Sequence, residues 1–231
     1  MIKLEVQPFN CVHCNKAFMK EKTLFAHMCE PKRRAMQKEE KRVQSGFYAF
    51  NQWYKIREGS QRQRTYEEFC KSSYYNAFVK FGSFINNVGP IHPERFIDYV
   101  IRSDVKLDHW CRDELYEKYI VEMLKTEPVE SSIQRSLQHM MEWADNSGAS
   151  FEHYFLYVNL NRAVNDLRNG YISPWVLLSC KGGKELLAKF NDEQLELISV
   201  AFDLAHWIRK LRDQPGDKAL VEEVCTEAGI Q

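Results

Sequence analysis

Four side chains near the N-terminus have the types and spacing to hold a metal ion: Cys11, Cys14, His27 and Cys29, in the run FNCVHCNKAFMKEKTLFAHMC from Phe9 to Cys29. Two residues separate Cys11 from Cys14, twelve separate Cys14 from His27, and one separates His27 from Cys29. Thiolates and a neutral imidazole are soft or borderline donors, and four of them in a tetrahedron is what a structural zinc site needs. The Cys-x-x-Cys turn supplies two from a tight knuckle. So short a fragment cannot bury enough apolar surface to fold unaided, and zinc binding supplies the difference, on the order of 10 kcal/mol. One zinc ion is the cofactor expected. His13 lies inside the knuckle and is badly placed to compete. Two other readings stay open: free buried thiols beside an incidental histidine, and a Cys11–Cys14 disulfide. The chain has seven cysteines, an odd number, and a disulfide needs an oxidising compartment.

With Phe18 and Leu24 between the ligand pairs, residues 9–29 resemble a Cys2His2-type zinc finger in a Cys-Cys-His-Cys variant. The resemblance implies a ββα unit, with Phe18 and Leu24 as its small core between hairpin and helix. It also implies a short helix directed at a major groove, with Lys20, Lys22 and Thr23 near the positions such fingers use for base contacts. One departure stands out. Such fingers place their last two ligands three to five residues apart, on one helical face. On a continuous helix, positions i and i+2 diverge by about 200°. The helix is therefore expected to end near His27, with Cys29 returning from a terminal turn. Pro31 supports that ending, because proline disfavours helix in the residue before it.

The formal net charge is zero, but it is unevenly spread. Residues 1–64 carry 14 Lys and Arg against 6 Asp and Glu, a balance of +8; residues 65–231 carry 18 against 26, a balance of −8. A basic head on an acidic body is the footprint of a nucleic-acid contact confined to one end, and equally that of a solvated helix beside a finger. The segment Lys32–Arg42 reads as an exposed helix able to follow phosphates. The nucleic-acid candidates are Lys16, Lys20, Lys22, Thr23, Lys32, Arg33, Arg34, Lys38, Lys41 and Arg42. Tyr48, Trp53 and Tyr54, interleaved with Lys55 and Arg57, could stack on bases, as could Tyr74 and Tyr75 near Lys71 and Lys80. For Phe47, Phe50 and Trp53 the helical spacing favours core.

The remaining elements all read as helices. Ser45-Gly46 is expected to interrupt the basic helix. Thr65 and Glu68 form a capping box for a helix running to Val88, which Gly89-Pro90 stops. Further helices are expected from His92-Pro93, from about Asp108 to Lys125, after Pro128 as far as Asn146-Ser147-Gly148, and from Ser150 to Gly170. Others start at Ser173-Pro174, at Asn191, where Gln194 completes a cap (continuing through Phe202 and Trp207), and at Asp217. Gly182-Gly183 is read as a break, because the phosphate-loop glycine and Ser/Thr are missing around Lys184. The expected fold is mainly α: a small N-terminal ββα zinc finger over 1–31, a basic helix and linker over 32–64, and an all-α domain over 65–231, with eight or nine helices in all after the finger.

Cys70, Cys111, Cys180 and Cys225 are scattered in helical patterns and read as core or surface thiols. His139 shares a helical face with Trp143 but no carboxylate motif accompanies it, and His109, His153 and His206 have no paired ligands. No catalytic motif is found, so the chain is not read as an enzyme. No apolar run is long enough to span a bilayer, and MIKLEVQPF is too short and too mixed for a signal peptide. The expected location is intracellular, cytoplasmic or nucleoid-associated, and not secreted. The segments NQWYK, YYNAFVKFG and SPWVLL give the helical body a resemblance to uncharacterised proteins of large tailed phages, which implies a role around nucleic acid in an infected bacterial cytoplasm. Two functions follow. One is a zinc-finger accessory protein whose residues 16–64 contact DNA or RNA, while its acidic body contacts a protein partner. The other is a protein–protein adaptor in which the finger is a structural staple or docking knob.

Overall fold

The computed structural model describes residues 8–230; residues 1–7, the greater part of the stretch weighed above as a signal peptide, lie outside them. Among the described residues the fold is mainly α, with one short antiparallel sheet at the N-terminal end. No helix among them is long and apolar enough to cross a membrane. The chain divides after Cys111 into two units, 1–111 and 112–231. The division falls within the stretch 65–231, and the basic segment 32–64 belongs with the first unit.

The first unit opens with β1 (Phe9–Asn10) and β2 (Ala17–Phe18), paired so that Phe9 faces Phe18 and Asn10 faces Ala17. Two short helices follow, α1 (Glu21–Ala26) and α2 (Glu30–Met36), neither with a buried residue. α3 (Lys41–Glu58) ends at Gly59 in the left-handed region, φ 64°. α4 (Tyr66–Lys71) starts with both bonds of the Thr65–Glu68 capping box in place. The helix expected to continue to Val88 breaks at Ser72–Tyr74 and resumes as α5 (Tyr75–Val88). α6 (Pro93–Arg102) follows, then a 3-10 turn (Leu107–His109) where a longer helix was expected from Asp108.

Ser45-Gly46 does not interrupt the basic helix. It lies inside α3, and the break falls earlier, between Met36 and Lys41. Gly46 is there because α3 and α5 touch backbone to backbone. A Cβ on Gly46 would come 2.5 Å from the Phe78 carbonyl oxygen, and one on Gly82 would come 2.0 Å from that of Arg42 and 2.6 Å from the Gly46 nitrogen. Around this crossing Phe50, Phe69, Phe78, Phe81, Phe96 and Trp110 are fully buried and meet at tilted and edge-on ring contacts, such as Phe50 on Phe78 at 5.4 Å and Phe81 on Trp110 at 5.1 Å. Gly82→Ala forces two backbones apart, with no flexible side chain to yield. It is expected to cost about 3 kcal/mol, the upper end for overpacking, read as a lower urea midpoint; an unchanged midpoint would refute the close crossing.

The second unit begins with α7 (Asp113–Thr126) and α8 (Val129–Ser147), the latter closed by Gly148 at φ 72°. The helix expected from Ser150 to Gly170 is divided. A 3-10 turn (Phe151–His153) leads into α9 (Tyr154–Tyr157), and α10 (Leu160–Arg168) restarts because the Asn159 side chain accepts from the Asn161 and Arg162 amides. In α11 (Pro174–Ser179) the Ser173 hydroxyl caps the Trp175 amide at 3.2 Å. Gly182 and Gly183, read as a break, lie inside α12 (Lys181–Leu187); a Cβ on Gly183 would sit 2.1 Å from the Leu177 carbonyl oxygen. α13 (Asp192–Ser199) carries the Asn191–Gln194 capping box. α14 (Leu204–Asp213) is a separate helix, because Asp203 caps the His206 amide at 3.0 Å. α15 (Pro215–Glu227) starts two residues before the expected Asp217. After β1, β2 and α1 the described residues thus hold fourteen α-helices rather than eight or nine, because local caps cut the longer apolar patterns. Trp175 and Trp207, both buried, meet edge to face at 5.8 Å in the core of this unit.

Candidate metal centre

The hairpin delivers the first two ligands. The Cys11 amide donates to the Lys16 carbonyl at 2.9 Å and the Asn15 amide to the Cys11 carbonyl at 2.8 Å, closing the knuckle. Asn15 sits at φ 57°, a conformation that asparagine tolerates better than most residues. α1 then stops at Ala26, and His27 caps it in extended conformation (φ −70°, ψ 121°). Cys29 is extended too (φ −85°, ψ 163°) and is the N-cap of α2.

This geometry resolves the short spacing. In extended chain, residues i and i+2 face the same side, so His27 and Cys29 converge while Met28 points out, 57% exposed. Cys29 does not return from the end of a helix, and Pro31 does not terminate one. Pro31 sits in the first turn of α2, and Glu30 before it is already helical.

The four ligand atoms lie within 4.8 Å of one another. Cys11 Sγ is 3.9 Å from Cys29 Sγ, and Cys14 Sγ is 3.3 Å from His27 Nε2. With metal–sulfur bonds of about 2.3 Å and metal–nitrogen bonds of about 2.0 Å, a tetrahedron has edges of about 3.8 Å and about 3.5 Å. The donor set therefore fits a tetrahedral ion. Among the described residues no other group of three or more His, Cys, Asp or Glu side chains converges this way, and His13 is not in the cluster. Phe18 and Leu24 are half-buried, with the Phe18 ring 4.8 Å from that of His27. All seven thiols are free, so no disulfide joins Cys11 to Cys14.

The thiols respond differently to this setting. The His13 amide, and then that of Cys14, hold the Cys11 thiol below its ordinary range despite partial desolvation. The Lys16 amide pulls Cys14 down, but desolvation and the Cys11 and Cys29 sulfurs outweigh it, and the thiol is raised. Thiolates a few ångströms apart repel one another. A divalent cation removes that repulsion and releases protons as it binds.

The basic candidates separate into two sets. Lys16, Lys20, Lys22, Arg33, Lys38 and Lys41 are exposed and have no carboxylate partner among the described residues, and Thr23 is exposed on α1. Lys38 lies 5.8 Å from the Tyr66 ring. Three others are engaged. Lys32 Nζ donates to the His27 carbonyl at 3.2 Å and to that of Phe25 at 3.5 Å. Arg42 pairs with Glu40 at 2.7 Å. Arg34 donates to the Cys70 carbonyl at 2.6 Å, pairs with Glu30 and stacks 4.4 Å from the Tyr75 ring centre, so it fastens α2 to the helices beyond it. Of the tyrosines weighed as base platforms, Tyr75 is buried, Tyr48 is half-buried and the Arg64 guanidinium lies 3.5 Å over Tyr54, while Tyr74 is exposed. Phe50 is buried, and Phe47 and Trp53 are half-buried in the aromatic core.

Two features escaped the sequence reading. Phe25 on α1 is 86% exposed. His139 does have a carboxylate: its Nε2 lies 3.0 Å from Asp166 Oδ2, which also accepts from the Tyr154 hydroxyl at 2.7 Å, while the His139 ring stacks on Tyr171 at 4.9 Å. Burial, and then the Asp166 charge, push the Tyr154 hydroxyl well above its usual range. Asp166 comes from a different helix, α10, so no local motif could have revealed the pairing. No family model, no curated protein and no solved structure matches this chain.

Proposed function

We propose that Cys11, Cys14, His27 and Cys29 hold one zinc ion, and that the finger so formed binds nucleic acid with the basic segment after it, as an accessory factor rather than an enzyme. Three sulfurs and one imidazole in a tetrahedral array favour zinc over hard, oxygen-seeking cations. The observation that carries the nucleic-acid reading is the unpaired set Lys16, Lys20, Lys22, Arg33, Lys38 and Lys41. Elsewhere in the head Arg34, Arg42, Arg57, Arg62 and Arg64 are each paired with a carboxylate. A neutralised arginine adds little to phosphate affinity, whereas an unpaired cation releases a counterion for each phosphate it meets.

Six such contacts give a log–log slope of affinity on salt of about −4 to −5. The triple variant Lys20→Glu, Lys22→Glu, Arg33→Glu is expected to flatten that slope by about half and to weaken retention at low salt. Electrophoretic retention over a salt series reads both. Retention unchanged in the triple variant overturns this reading. The adaptor reading then takes its place, and one observation favours it: an apolar cleft of 770 Å³ on the second unit, lined by Leu187, Leu195, Ile198, Phe202 and Leu204.

A further inference from the structure

We infer that the exposed face of the finger is a stacking platform for unpaired bases, so that the nucleic acid it takes is single-stranded. The inference rests on the phosphate-binding reading and names its substrate class. Phe25 is 86% exposed although it stands on α1, where the small core is made by Phe18 and Leu24. It therefore contributes almost nothing to folding. Val12 and Met19, in the same segment, are 87% and 68% exposed.

Cations stand near Phe25 in the chain and at its backbone. Lys22 lies one helical turn before Phe25, on the same face of α1. Lys32 Nζ is held at the Phe25 carbonyl, 3.5 Å away, and Arg33 follows it in the chain. The carboxylates in this stretch are Glu21, at the start of α1, and Glu30, which Arg34 neutralises. An open aromatic face with cations nearby matches what a single strand offers: base faces together with a phosphate track. A duplex keeps its base faces stacked internally, and α1, six residues and about 9 Å long, presents little helix to a groove. A purely apolar partner surface would gain nothing from the nearby lysines.

The test uses the full-length, metal-loaded protein and fluorescence anisotropy on labelled strands of about 12 nucleotides. Single-stranded DNA, single-stranded RNA and the matching DNA duplex are titrated at one low salt concentration. The expected result is tighter binding to the single strands than to the duplex. Phe25→Ala should weaken single-strand binding about tenfold, leave duplex binding and metal content unchanged, and be rescued by Phe25→Trp. Whichever of the DNA and RNA strands binds more tightly identifies the source of the bases. If Phe25→Ala binds single strands as wild type does, while the salt slope persists, the platform is refuted and the phosphate reading survives. A loss that is equal on duplex and single strand, or that Phe25→Trp does not restore, also refutes it. No binding to any of the three ends both readings and leaves the exposed face to a protein partner.

Discussion

Cys11→Ser is expected to leave the segment Phe9–Cys29 unfolded while the helices from Lys41 onward persist. The segment has almost no other source of stability. Among residues 8–29 Cys11 alone is buried, the sheet consists of two strands of two residues, and α1 has no side-chain cap at its N-terminus. Isolated helices of this length are unstable in water, and Phe18 and Leu24 are only half covered. Binding free energy at such a site is folding free energy, roughly 10–16 kcal/mol for a structural zinc ion. Loss of one thiolate, or of the ion to a chelator, thus exceeds anything the local contacts could offset. Elemental analysis should fall from about one zinc per chain toward none. Amide resonances of residues 9–29 should collapse to unfolded positions, while those of α3 and α5 stay dispersed. Resonances of Cys11→Ser that remain dispersed throughout, or wild-type protein that carries no metal when kept reduced, would show that the cluster is not a metal site.

The expectation of a metal site came from residue types at fixed spacing, which local sequence records. The missing part was conformational. His27 and Cys29 look incompatible on a helix and compatible on extended chain, and the choice between those was made by where α2 begins. The same limit explains the other misreadings. Ser45-Gly46 and Gly182-Gly183 look like breaks because glycine weakens helices, yet both lie inside helices: Gly46 and Gly183 make room for the backbones of Phe78 and Leu177. Phe78 is far from Gly46 in the chain, and Leu177, though near Gly183, stands on the separate helix α11, so neither approach shows in a helical pattern. Caps written in adjacent residues, Thr65 with Glu68 and Asn191 with Gln194, formed as expected. Arg34 reads as one more cation in a basic run, and only Cys70 and Tyr75, brought close by α4 and α5, show that it is structural. Phe25 carries the opposite lesson. Nothing in its spacing marks it out, and its exposure follows from a segment too small to bury both Leu24 and its neighbour.

A second large effect is expected where the second unit buries a charge pair. Arg135 on α8 faces Glu127 at the end of α7, with both side chains almost wholly out of solvent. The guanidinium grips both carboxylate oxygens, one of them at 2.6 Å, and its Nε donates to the Gly170 carbonyl at 2.7 Å, just after α10. One side chain thus ties the ends of two helices to a third. Removing either charge strands the other in low dielectric, so Glu127→Ala is expected to cost about 3–5 kcal/mol. Arg135→Lys keeps the charge but loses the fork that engages two oxygens and a carbonyl at once, and should fall between wild type and Glu127→Ala. The double variant Arg135→Met, Glu127→Leu should cost less than Glu127→Ala alone, because it removes both desolvation penalties and leaves only the Gly170 carbonyl short of a donor, about 1 kcal/mol. Urea unfolding of the full chain, followed by tryptophan fluorescence, orders the three. If the double variant proves the least stable, the pair contributes net attraction beyond its desolvation, and α7, α8 and α10 are held by charge rather than merely aligned by it.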